Sequence, residues 1–62
     1  MELNVNQRAI LGVLIKKNRW MNTTEVAHFA RVSWNTAHKY LLAMHNRSWI
    51  AKKGNYWRAR IK

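Results

Sequence analysis

The chain has no cysteine, no proline and no aspartate, and only two acidic residues, Glu2 and Glu25, among its 62 positions. Without cysteine there is no disulfide framework and no thiolate metal site, and the composition suits a reducing interior. Without proline, and with no low-complexity tract or internal repeat, nothing marks a linker, so residues 1–62 are expected to form a single domain. Long hydrophobic runs are missing as well. The apolar run from Ala9 to Ile15 covers seven residues, where a transmembrane helix needs about 20, and no signal-peptide cleavage pattern follows it. The expectation is a soluble, cytoplasmic protein without a membrane partner.

The shortage of carboxylates also limits the chemistry. A domain of this size buries roughly 60% of its unfolded surface, which leaves little room for a large catalytic cleft. Neither a paired-carboxylate site nor a Ser-His-Asp triad can be assembled. His28, His38 and His45 lack the cysteines and carboxylates that would complete a metal site, although His38 and His45, seven apart, share one side of a helix. The sequence therefore predicts no enzyme, no cofactor and no metal.

What the chain does have is positive charge. Twelve Lys and Arg give a formal net charge of +10, far beyond what intramolecular pairing with two glutamates could use. The charge must face solvent, counterions or a polyanion, of which nucleic acid is the commonest. It also clusters: Lys16, Lys17 and Arg19 follow the apolar run, and Lys52, Lys53, Arg58, Arg60 and Lys62 crowd the C-terminal region.

Local patterns predict helix, helix-turn-helix, then hairpin: a mainly α fold with a small β-hairpin. Asn4 and Gln7 have capping-box spacing ahead of a helix from about 5 to 18, along which Ile10, Val13 and Leu14 form the inward stripe. Asn22 and Glu25 repeat that spacing, with Met21 just outside, before a helix of about two turns whose Val26, Ala27 and Ala30 face inward. So short a helix persists only by packing, and its small alanines permit a close crossing. Val32 plugs the turn. Ser33 caps a third helix over about 34–47, where Ala37, Leu41 and Met44, with Tyr40 beside them, face the core. Ile50–Lys53, Gly54-Asn55 and Tyr56–Ile61 then read as two strands around a two-residue turn. The implied register pairs Lys53 with Tyr56, Lys52 with Trp57, Ala51 with Arg58 and Ile50 with Ala59. It turns Ile50, Trp57, Ala59 and Ile61 toward the helices and Lys53, Tyr56, Arg58 and Arg60 away.

From Thr24 to Ile61 these residues resemble a winged helix-turn-helix DNA-binding domain. The likeness rests on Thr-Glu-Val-Ala at 24 to 27, Val32-Ser33, Thr36-Ala37, Tyr40-Leu41-Leu42, Met44, Trp49-Ile50 and the basic hairpin with Tyr56-Trp57. Within that superfamily the small fimbrial-operon regulators are similar in length and in the Ala-x-x-Tyr-Leu-Leu and Tyr-Trp elements. Ser48 departs from the pattern, since many members carry glycine there, and Asn46 is expected to take over the cap.

The resemblance implies a three-helix winged fold that binds double-stranded DNA in a sequence-specific way, as a small transcription regulator. Asn35, His38 and Lys39 are expected to face the major groove, with Thr36 beside them and Ser33 and Trp34 setting the approach to the backbone. Lys52, Lys53, Asn55, Arg58 and Arg60 are expected on phosphates or the adjacent minor groove. Trp49 and Trp57 are needed for the core, Trp20 covers its edge, and Trp34 has no evident packing role. Leu11 and Ile15 form a second apolar pair on the first helix, which suggests a homodimer interface. Two alternatives compete: an architectural or replication-accessory nucleic-acid binder without sequence specificity, and a winged-helix module that docks a protein.

Overall fold

Each helix begins where a side chain can replace a missing backbone acceptor. In the computed structural model, which describes residues 4–60, helix α1 spans Val5–Lys17. The Asn4 side chain accepts the Gln7 backbone N–H at 2.8 Å, and Gln7 Oε1 accepts the Asn4 N–H at 3.1 Å. The expected box is thus complete. Helix α1 stops because Asn18 turns left-handed, at φ 49°, and donates its N–H to the Leu14 carbonyl.

Helix α2, Thr23–Ala30, starts with the second box: Asn22 Oδ1 accepts the Glu25 N–H at 2.8 Å and Glu25 Oε1 accepts the Asn22 N–H at 3.3 Å. Its eight residues would not hold a helix alone. Val26 and Ala27 are buried against α1 and α3, and Ala30 and Val32 pack on the same cluster. The turn closes with Arg31 at φ 59° and with the Val32 N–H on the Ala27 carbonyl at 3.1 Å. Helix α3, Trp34–Asn46, follows at once, its first turn capped by Ser33 Oγ on the Thr36 N–H at 3.1 Å. Ala37, Leu41 and Met44 are fully buried, as their spacing predicts.

The end of α3 differs from the sequence expectation. Asn46 remains helical, and Ser48 takes the left-handed position at φ 62°. The Ser48 N–H bonds the His45 carbonyl at 2.9 Å and the Trp49 N–H bonds the Met44 carbonyl at 3.0 Å. These two bonds make a Schellman ending, which fixes the left-handed residue two places beyond the last helical one whatever its side chain. Serine is strained there, because a Cβ disfavours positive φ by about 1–2 kcal/mol. Glycine's greater freedom in the unfolded chain offsets part of that. Ser48→Gly is accordingly expected to raise stability by about 0.5–1 kcal/mol in a urea titration; an unchanged or lowered midpoint would show that Ser48 makes a compensating contact.

Strands β2, Ile50–Lys53, and β3, Tyr56–Ala59, pair in the predicted register, from Ile50 with Ala59 to Lys53 with Tyr56. Gly54 takes φ 61° and Asn55 does not take positive φ, the pattern of a type II′ turn with glycine first. Ile50, Trp57 and Ala59 face the helices; Ile61 lies outside the described residues. A third strand was not legible: β1, the two residues Met21–Asn22, pairs antiparallel with β3, giving the order β1-β3-β2. Met21, read from sequence as lying just outside α2, is therefore a fully buried core residue.

The core joins Ile10, Leu14, Met21, Val26, Leu41, Met44 and Ile50 around Trp57, which is 1% exposed. Val13 contributes less than its spacing suggests and is half-buried. Leu11 packs against the cluster from the other side of α1, while Ile15 stays exposed; both border a groove with Ser48, Trp49, Ala59 and Arg60. Among the described residues no helix is long and apolar enough to cross a membrane.

Candidate nucleic-acid interface

An open cleft lies between the first half of α3 and the hairpin. Trp34, His38 and Leu42 of α3 form one wall, Lys52, Asn55, Tyr56 and Trp57 of the hairpin the other, and Asn22, Thr23 and Thr24 at the start of α2 the floor. This convergence follows from the core. Trp57 pairs with Met21 of β1 and Lys52 of β2, and its Nε1–H donates to the buried Thr23 Oγ1 at 3.0 Å. That bond ties the sheet to the first residue of α2. From α3, the rings of His38 and His45 stand T-shaped to the Trp57 ring at centroid distances of 6.4 and 6.2 Å. One tryptophan thus fixes the hairpin, α2 and α3 relative to one another.

At about 100° per residue, Trp34, His45 and His38 fall within about 40° of each other on α3, on the side turned to the hairpin. The indole of Trp34 stacks on the His38 imidazole with centroids 4.8 Å apart and planes 19° apart, and Trp34 is still 48% exposed. Trp34 therefore has the packing partner that the sequence did not reveal. Asn35 and Lys39 lie about 100° and 140° round from Trp34 and are exposed on the outer stripe of the helix.

The structure divides the residues expected at the site. Trp34, His38, Lys52 and Asn55 meet in the cleft, while Asn35 and Lys39 stand beside it on the outer face of α3. Ser33 and Thr36 are occupied by the cap, with the Ser33 hydroxyl donating to Thr36 Oγ1 at 2.8 Å. Lys53 borders a separate depression with Trp20, Gly54 and Tyr56. Arg58 alternates to the side of β3 away from Trp57 and is half-buried. Arg60 lies at the base of the hairpin, its backbone N–H toward the Trp49 carbonyl and its Nη1 3.5 Å from the Ser48 carbonyl, remote along β3 from the turn. Sequence reasoning missed Asn22, Thr23, Thr24, Leu42, Tyr56 and Trp57 as lining residues. Leu42 had a signal, since it continues the Trp34, His38 spacing at i+8 and i+4.

Electrostatically, one ion pair forms among the described residues, Arg19 Nη1 to Glu25 Oε2 at 3.4 Å, between half-exposed groups. Such a pair contributes little, and Glu25 is the one carboxylate side chain among the described residues. Lys52 carries its ammonium 5.6 Å from the Trp57 ring centre at the cleft wall. Among the described residues no group of three or more His, Asp or Glu side chains could hold a metal ion.

Three helices followed by a β-hairpin, with the short strand β1 between α1 and α2 added to its edge and with α2 and α3 joined by a tight turn, form a topology compatible with a winged helix-turn-helix arrangement and with DNA-binding domains in general. Comparison with protein-family models, with curated proteins and with solved structures yields no match.

Proposed function

We propose that the protein is a sequence-specific double-stranded DNA-binding module of the winged helix-turn-helix kind, acting as a small transcription regulator. The observation that carries this reading is the convergence of the exposed first turns of α3 and the lysine-flanked hairpin turn on one cleft of a +10 chain. An α-helix fits the major groove, with its N-terminal residues toward base edges, and a hairpin beside it reaches the adjoining backbone or minor groove. In this reading Asn35 reads bases, Lys39 beside it on α3 and Lys52, Lys53 and Asn55 of the hairpin approach the backbone that borders the groove, and Ser33 and Thr36 hold the entry of the helix.

Selection of bound duplexes from a random library tests it: an enriched motif supports sequence-specific recognition, and recovery of unrelated duplexes favours an architectural role. Half-site symmetry in the selected duplexes would report a second copy, for which the groove beside Leu11 and Ile15 is the proposed contact. Asn35→Ala is expected to cost about 1–3 kcal/mol on the selected site if the amide makes a bidentate adenine contact, and much less on unrelated DNA. Equal weakening on both in a fluorescence titration would remove Asn35 from base reading.

A further inference from the structure

Trp34 is the one large aromatic side chain at the start of α3, and it is held from behind. Its indole lies flat against His38, the His38 ring stands T-shaped to Trp57, and Trp57 is anchored through Nε1–H to Thr23. This chain of contacts runs from the core to the surface and fixes an aromatic side chain that would otherwise sample several rotamers. The entropy of ordering it is then spent in the free protein, not on binding. One ring face is covered by the imidazole, and with 48% of the residue exposed the indole still offers apolar surface to the cleft.

The inference rests on the double-stranded DNA reading above. A base in an intact duplex shows the major groove its edge and not its face, so an aromatic plane there cannot stack on it. The one apolar protrusion on those edges is the C5 methyl of thymine. We propose that Trp34, positioned by His38, is a specificity-determining residue that takes a thymine methyl group against the open face of its indole. Lys52 and Asn55, which line the same cleft, supply polar contacts to the neighbouring backbone.

The test replaces each thymine of the selected duplex in turn by deoxyuridine, which removes the methyl group and keeps every hydrogen-bonding atom. Burial of one methyl corresponds to about a fourfold change in affinity. The wild-type chain is expected to lose about that factor at one thymine of the site, Trp34→Ala to be weaker and indifferent to the same change, and His38→Ala to lose most of the discrimination. Circular dichroism checks that both variants stay folded; the uracil scan of the wild type requires no variant. A tight, sequence-dependent complex indifferent to every uracil would overturn the methyl assignment and leave the proposed function standing, as would a Trp34→Ala variant that keeps the discrimination. A single strand that competes as well as the duplex would also overturn it, because the indole would then serve unpaired bases. Failure to bind any duplex would remove the proposed function itself.

Discussion

Trp57→Ala is expected to remove a large share of the stability of the fold and to lower its urea midpoint steeply. Truncating a buried tryptophan costs about 3–5 kcal/mol. A domain of 62 residues has a total stability of only about 3–9 kcal/mol at the usual 0.05–0.15 kcal/mol per residue. Position 57 is also a poor one at which to leave a cavity, because Trp57 lies on the central strand and touches parts of β1, β2, α2 and α3. The surrounding side chains cannot collapse into the space without breaking those alignments. Urea unfolding followed by far-ultraviolet circular dichroism is the measurement, and a midpoint within error of the wild type would show that Trp57 is not the keystone of the core. Trp57→Phe separates packing from the hydrogen bond, since it keeps most of the ring area and leaves the Thr23 hydroxyl without its donor. Paired with Thr23→Val in a double-mutant cycle, it should give a coupling of about 0.5–1.5 kcal/mol.

That same contact explains where sequence reasoning stopped. Thr23 and Trp57 are 34 positions apart, and nothing in the local pattern of either announces the other. What was legible was local or periodic: both capping boxes, the Ala37, Leu41, Met44 face of α3, and a hairpin register set by Gly54-Asn55 and the two-residue alternation. Strand β1 was not legible because two residues cannot display an alternation, and Met21–Asn22 becomes a strand only through the edge that β3 offers. The cap at Ser48 was missed for a different reason. Residue preference pointed to Asn46, whereas the Schellman bonds from Ser48 and Trp49 decide which residue must turn left-handed.

For the cleft, the residues on α3 and the hairpin could be named, but not how they sort. Helical spacing places Trp34 and His38 together and Asn35 and Lys39 on the next stripe, yet only the position of Trp57 determines which stripe faces the hairpin. Arg60 shows the converse. By sequence it belongs with the basic hairpin, and by its contact with the Ser48 carbonyl it belongs with the end of α3, where a cation also suits the negative end of the helix dipole.

This division of charge leads to the largest expected effect on binding. Replacing Lys39, Lys52 and Lys53 together by glutamine should make the dependence of log affinity on log salt shallower by about 2.7, at about 0.9 for each phosphate no longer neutralised. Between 50 and 200 mM salt that difference amounts to about 40-fold: the wild type weakens by about 40 times more than the variant. The three lysines are exposed. Lys52 and Lys53 project to opposite faces of the hairpin, as the cleft and the separate depression beside Trp20 show. A hairpin laid in a groove has one strand's backbone on each side, so each face needs its own cation. Lys52 also carries the contact with the Trp57 ring, worth about 0.5–1 kcal/mol at an exposed site, so the thermal midpoint of the variant must be measured alongside. Arg60→Gln provides the comparison, since its guanidinium is directed to the Ser48 carbonyl and its removal should leave the salt slope close to that of the wild type. A slope unchanged in the triple variant would mean that the hairpin does not touch phosphates, and a slope flattened as much by Arg60→Gln would place the DNA across the base of the hairpin and not its turn.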